Sequence, residues 1–272
     1  MPVSASDNAF VRDVVLRRSA IVLDHSKDYL IESRLDQLVR DGGATSIGEL
    51  ISRARSGDEA LNVKIVEAIT THETSFFRDL HPFDALRRHL LPRLIDQRQP
   101  SRALTIWSAA CSSGQEAFSI AMLLLEHFPA LATWSVRIIG TDISHQVLAR
   151  AREGRFAQFD VNRGLPVALL MKYFERNGTH WVIKPGVKQL VEFRHLNLIE
   201  GWTLAARPDI VFLRNVLIYF DVDTKRRILA RLREVIPRDG VLFLGTAETT
   251  VNVADDWEAV AADKATYYRV RP

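Results

Sequence analysis

A mostly parallel α/β fold preceded by an all-helical domain is the architecture this sequence predicts, and three observations carry it. Apolar residues between Phe10 and Ile69 recur at helical spacing, whereas beyond Leu104 short apolar runs alternate with helix-length segments. Between these two regimes, Gln99-Pro100-Ser101-Arg102 breaks the chain. With 272 residues, 47% hydrophobic and 25% charged, the chain is long enough to bury one large core beside a smaller one.

The helical region comes first. Val14, Val15, Ile21, Val22, Tyr29, Leu30, Leu35 and Leu38 follow a period near 3.6. Asp41-Gly42-Gly43 stops one helix, and Thr45 or Ser46 can cap the next, which runs through Ile47, Leu50 and Ile51. This gives an all-helical domain over residues 1–80. Residues 81–101 read as a linker helix, with Pro82 in the first turn, where its missing N–H costs nothing.

Residues 102–272 form the α/β part. Strands are expected at 104–107, 136–141, 191–196, 209–213, 241–245 and 265–270, and helices at 115–128, 145–153 and 224–235. Strands joined by helices imply right-handed crossovers and a sheet covered on both faces, a Rossmann-like domain. Residues 155–190 interrupt the alternation. There Asn177-Gly178, a strand at 180–183 and Lys184-Pro185-Gly186 read as a small inserted antiparallel β-subdomain.

Composition narrows the function classes. The net charge is +3 and the pI about 9.1, so a basic surface must be local, which disfavours a dedicated nucleic-acid binder. Cys111 stands alone, so no intramolecular disulfide can form, and no Cys/His pair has zinc spacing. His72-Glu73 lacks the second histidine of HExxH. No apolar run reaches the roughly 18 residues of a membrane span, and the N-terminus lacks a signal-peptide pattern. A soluble, cytoplasmic, metal-free monomer is the expectation.

The most telling stretch is residues 69–79, Ile-Thr-Thr-His-Glu-Thr-Ser-Phe-Phe-Arg-Asp. Small hydroxyls, an imidazole, a carboxylate, two aromatic rings and an arginine suit a surface that holds a zwitterionic ligand against an apolar wall. The same residues also suit a helix N-cap, with Thr70 or Thr71 capping. In an open α/β sheet, ligands sit beyond the carboxyl ends of the strands. After the first strand, the loop Ser108-Ala109-Ala110-Cys111-Ser112-Ser113-Gly114 is all small residues but is not GxGxxG. Glu116 opens the following helix and would repel a phosphate there, so a cofactor without phosphates fits better.

Asp142 ends the second strand, 28 residues after Gly114, where an acid takes a ribose diol. A nucleoside without phosphate, held in this way, suggests S-adenosylmethionine. Asn197 and Leu198, after the third strand, would lie beside the adenine. Arg214 and Asn215 end the fourth strand just before an apolar segment containing Tyr219, and are hard to explain as core. Ordinary caps, turns and salt bridges remain the alternative at each of these positions. Cys111 lacks an orienting His and Asp pair, and a lone His72 is more often a hydrogen-bonding group than a base.

Five ordered blocks resemble the chemotaxis receptor glutamate methyltransferases, the CheR family. They are TTHETSFFRD at 70–79, WSAACSSGQEAFSIAM at 107–122, GTDIS at 140–144, RNVLIYFD at 214–221 and DGVLFLGTAE at 239–248. The resemblance covers nearly the whole chain. It implies a Rossmann-like S-adenosylmethionine-dependent methyltransferase domain and transfer of methyl groups to glutamate side chains on the helical cytoplasmic domain of chemoreceptors, with S-adenosylhomocysteine as product. Cofactor contacts would fall on His72, Thr74, Arg78, Glu116, Asp142, Asn197, Leu198, Arg214 and Asn215. Arg78 and Tyr219 are the candidates for alignment of the reacting groups, and Phe76, Phe77 and Tyr219 for the apolar wall.

Two positions depart from the family pattern: His72 stands where Asn is common, and Gln115 where Glu is frequent. Some family members dock a receptor tail peptide through a glycine-containing loop of the inserted subdomain. The loop at 175–179 is short here, so independence of that tether is expected. The N-terminal Arg17, Arg18, Lys27, Arg34, Arg40, Arg53 and Arg55 are candidates to meet an acidic receptor, or simply a solvated face. The rival readings are a methyltransferase for another substrate and a cofactor-binding regulator without turnover.

Overall fold

The computed structural model describes residues 3–204 and 206–271. The chain divides into two compact units, residues 1–72 with 219–224 and residues 73–218 with 225–272, so residues 73–80 group with the second.

The first unit is helical. Helices Ala5–Ser19, Asp28–Leu38, Ile47–Arg55 and Glu59–Ile69 bury Val11, Val15, Ile31, Leu35, Leu50, Ile51 and Ile65. Ser4, Ser46 and Asp58 cap three of them with their side-chain oxygens. Gly42, at φ 86°, breaks the chain where the Asp-Gly-Gly signal predicts a stop. The N-cap alternative for residues 70–79 fails. Thr70 closes the preceding helix, donating its hydroxyl to Val66 O at 2.7 Å, and no helix follows directly.

Among the described residues the second unit holds ten strands. In chain order they are β1 (Ala103–Ala109), β2 (Ser135–Asp142), β3 (Arg155–Ala157), β4 (Phe174–Asn177), β5 (His180–Ile183), β6 (Val191–His195), β7 (Ile210–Leu213), β8 (Val241–Leu244), β9 (Trp257–Ala262) and β10 (Ala265–Val270). The main sheet has the order β6-β2-β1-β7-β8-β10-β9. Its first five strands run parallel, and β10 is antiparallel to both β8 and β9. Strand order reverses between β1 and β7, which places the ligand crevice beyond the carboxyl ends of these two strands. β1, β7 and β8 are buried almost throughout, as parallel strands covered on both faces must be.

Every predicted strand is present; β3 and β4 complete the insertion, and in the main sheet β9 is an addition. Its Trp-Glu-Ala-Val-Ala-Ala sequence has small residues on a half-exposed edge and so gives a weak apolar signal. The expected linker helix runs from His81 to Arg98, with a wider turn at Leu86–Leu90. It is no free connector, since Phe83, Leu86, Leu90, Leu91 and Leu94 belong to the core of the second unit. At its end Arg98 grips Asp209 and Asp239, with hydrogen bonds of 2.6–2.8 Å. Asp209 in turn accepts from Thr105 N at 2.9 Å, which ties the helix to the end of the sheet remote from the crevice.

The insertion forms a separate sheet of order β3-β5-β4, with a two-residue turn at Gly178 and Thr179. Phe156 and Phe174 of this sheet meet Phe76 edge-on, at centroid distances of 5.0 and 5.7 Å. Phe76 is fully buried, so its ring is core and not the ligand wall expected of it. Gly164 at φ 80° passes so close that a Cβ there would lie 2.0 Å from Phe76 O. Phe76→Ala should therefore destabilise this unit by about 3–5 kcal/mol, read from a lower urea midpoint. A loss under about 1 kcal/mol would show that the insertion is not anchored through this ring.

Candidate active site

Three loops converge at the carboxyl ends of β1, β2 and β7. The loop after β1 turns tightly, with Ala110 at φ 57°, Ser112 at 51° and Gly114 at 93°. Side chains in this region must be small. A Cβ on Gly114 would come within 2.9 Å of the Phe193 ring and 3.1 Å of Phe118. Ser112 N donates to Asp142 Oδ2 at 2.9 Å, and Ser144 N donates to Asp142 Oδ1 at 3.0 Å. The carboxylate that ends β2 is thereby fixed in orientation by one amide from each of two loops.

Arg214 is the centre of the site, with its side chain 1% exposed. Nη1 donates to Glu116 Oε2 at 2.9 Å; Nη2 donates to Asp79 Oδ2 at 2.6 Å and to Arg78 O at 2.9 Å. Glu116 Oε1 accepts from Ser108 Oγ at 2.7 Å. The end of β1, the helix Gln115–His127, the end of β7 and the 73–80 segment thus meet on one guanidinium. The last of these segments is bent sharply, with Phe77, Asp79 and Leu80 all at positive φ, and is pinned where Phe77 N donates to Ser119 Oγ at 2.9 Å. Arg214 Nε has no hydrogen-bond partner although it is buried.

Among the remaining expected residues, Arg78 is half-buried and donates to Glu73 O at 3.0 Å. Thr74 lies half-buried in the same segment. Asn197 has its side chain engaged in its own turn, with Nδ2 donating to Glu200 at 2.9 Å, while Leu198 beside it is 7% exposed. Asn215 takes the left-handed conformation at φ 58°. His72 and Tyr219 belong to the helical unit; there His72 Nε2 lies 3.4 Å from Glu67 O, and Tyr219 O accepts from Val22 N at 2.9 Å. Phe77, half-buried, packs edge-on against Phe83.

Two site features escape a reading of residue types alone. Asp79 completes the Arg214 cluster, and Glu248 accepts backbone N–H bonds from the loop that carries Asn215. Both lie inside sequence blocks whose roles could be weighed only once their partners were known. Cys111 is 2% exposed, and burial, with Asp142 and Glu116 nearby, pushes its thiol up, so it stays protonated and is no nucleophile. On the rim Glu73 accepts from Arg163 at 2.7 Å, which holds its carboxyl below the ordinary range.

The donor set fits S-adenosylmethionine. Asp79 and Glu116 share one arginine, and Asp142 is held by backbone amides, an excess of negative charge suited to a sulfonium and an ammonium. Sheet order, the small-residue loop and the oriented acid after β2 together define an S-adenosylmethionine-binding methyltransferase domain. The sequence matches the family model described as CheR methyltransferase, SAM binding domain, over residues 72–266, and that described as CheR methyltransferase, all-alpha domain, over residues 6–70. The chain belongs to the CheR methyltransferase family.

Similar curated proteins include chemotaxis protein methyltransferase 1 of Pseudomonas aeruginosa, 38% identical with 100% of both chains covered. Chemotaxis protein methyltransferase Cher2 of Pseudomonas putida is 36% identical over 92% of this chain and 93% of that protein. The Vibrio anguillarum chemotaxis protein methyltransferase is 39% identical over 92% of each.

Replacing Arg214 by Met would leave Glu116 buried without a counter-ion and deprive the more exposed Asp79 of its partner, a cost of roughly 3–5 kcal/mol. Chemical denaturation of Arg214→Met should show that loss together with failure to bind S-adenosylhomocysteine. Wild-type stability and affinity would contradict the central place given to this cluster.

Proposed function

We propose that this protein is a protein-glutamate O-methyltransferase that esterifies glutamate side chains on the helical cytoplasmic domain of chemoreceptors. The observation that carries the reading is Arg214, buried between Glu116 and Asp79 at the strand reversal, with Asp142 oriented at the end of β2. S-adenosylmethionine supplies the methyl group as a sulfonium. The acceptor glutamate is ionised at neutral pH and is itself the nucleophile, so no residue has to remove a proton. What the chain must supply is alignment and exclusion of water.

Asp142 has the position and orientation to take a ribose diol, and Glu116 and Asp79 balance positive charge. Leu198 offers an apolar contact for a base, and Thr74, Asn215 and His72 offer polar ones. Arg78 makes only its bond to Glu73 O among the described hydrogen bonds, which leaves most of its five N–H donors available for a carboxylate. Tyr219 is assigned the orientation of the acceptor oxygen.

Charge favours the inserted subdomain over the N-terminal arginines as the receptor-facing surface. Residues 1–72 carry nine Lys and Arg against eleven Asp and Glu. Within the helical unit, Arg17, Arg18, Lys27, Arg40, Arg53 and Arg55 each pair with a carboxylate. Residues 155–190 carry six Lys and Arg against two Asp and Glu. Of these, Arg155, Arg176, Lys184 and Lys188 make no ion pair among the described residues. The inserted subdomain is thus the better source of attraction for an acidic partner. Its two-residue turn at Gly178 and Thr179 supports docking without a receptor tail peptide.

The decisive assay incubates the protein with methyl-labelled cofactor and receptor-bearing membranes. Base-labile label on glutamate is expected, whereas bound cofactor without transfer would favour a regulator. In the same assay Arg78→Ala and Tyr219→Phe should each lower turnover by about tenfold or more, and unchanged turnover and cofactor affinity would refute their roles. Association with receptor membranes should slow steeply with salt, and charge reversal at Arg176 and Lys184 should flatten that dependence more than Arg34→Glu does. The reverse ranking would return the surface to the helical unit. A receptor tail peptide that bound measurably would refute tether independence.

A further inference from the structure

Glu248 stands in the tight turn after β8 and is 9% exposed. Its carboxylate accepts four backbone N–H groups: Oε2 takes Gly245 N at 2.6 Å and Asn215 N at 2.8 Å, and Oε1 takes Val216 N at 2.8 Å and Ile218 N at 3.2 Å. Three of the four donors belong to the loop after β7. That loop begins with Arg214 and carries Asn215 in the left-handed conformation, at φ 58°. A run of amides turned inward in this way forms a concave anion site, and Glu248 fills it from within the chain.

The arrangement is specific to a carboxylate. Its lone pairs are all acceptors, so two oxygens can serve four donors. A glutamine of the same shape would offer an amide NH2 to amides that also donate, leaving donors opposed. Gly245 completes the mould. A Cβ there would lie 2.7 Å from Asn215 Nδ2, 2.7 Å from Glu248 Oε2 and 2.8 Å from Asn215 N. The Asn215 side chain therefore rests on bare backbone at residue 245, where a side chain would displace it.

We propose that Glu248, seated against Gly245, is a positioning residue for the cofactor site. It fixes the left-handed turn at Asn215 and so sets where the Asn215 amide and the Arg214–Asn215 backbone meet the nucleoside. Glu248 acts through Asn215 and touches neither cofactor nor acceptor. The inference needs only the cofactor site and holds whichever acceptor is methylated, because its test reads cofactor product binding.

The test is a double-mutant cycle on the full-length protein. Calorimetric affinity for S-adenosylhomocysteine is measured for Glu248→Gln, Asn215→Ala and the double variant, with thermal unfolding recorded for each. Glu248→Gln should weaken binding by about tenfold or more while the protein still unfolds cooperatively, and should cost little further in the Asn215→Ala background. Additive losses, or unchanged affinity in Glu248→Gln, would overturn the proposal. Gly245→Ala is the second variant. It keeps the carboxylate and should reproduce the loss in affinity, and wild-type binding by Gly245→Ala would equally count against the mould. Should Glu248→Gln fail to fold, the same cycle run with Gly245→Ala and Asn215→Ala decides by the same criterion.

Discussion

The guanidinium of Arg214 is the constraint on which the rest of the site depends. A fully buried cation is tolerated only where its desolvation is offset by charged partners and hydrogen bonds, and here those come from Glu116, Asp79 and the Arg78 carbonyl. These partners lie on two segments, and Arg214 itself on a third. One ion cluster consequently fixes the start of the helix after β1, the end of β7 and the strained 73–80 segment at once. The positive φ values at Phe77, Asp79 and Leu80 are held in place by this grip and by the Phe77–Ser119 bond.

The charge left over explains the ligand class. With Glu116 and Asp79 sharing one arginine and Asp142 held by backbone amides, the crevice carries more negative than positive charge. A phosphate would be repelled there and a sulfonium welcomed. The insertion carries the opposite bias, with four cations that make no ion pair among the described residues. The insertion carries four more cations than acids and residues 1–72 two fewer, so a net charge of +3 for the whole chain says little about any one surface.

Much of this was legible in the residues themselves. Period-3.6 patterning gave the helical unit, and apolar runs gave every parallel strand of the main sheet. The small residues at 108–114 marked the close turn after β1, and Asp142 stood out as an acid at a strand end. Less legible were elements whose signal is weak or shared. β9 is rich in alanine, Thr70 closes one helix where its neighbours suggest the start of another, and Phe76 reads as a ligand wall yet is a packing ring.

Local pattern and composition thus determined the elements, their order and the kind of ligand, because periodicity and side-chain chemistry are properties of short segments. Tertiary structure alone decided which charges cancel and which stay available. Arg214 meets Asp79 across 135 residues and Glu116 across 98, and Glu248 reaches Asn215 across 33. The satisfaction of buried polar groups is a matter of three-dimensional neighbours, and no spacing along the chain records it.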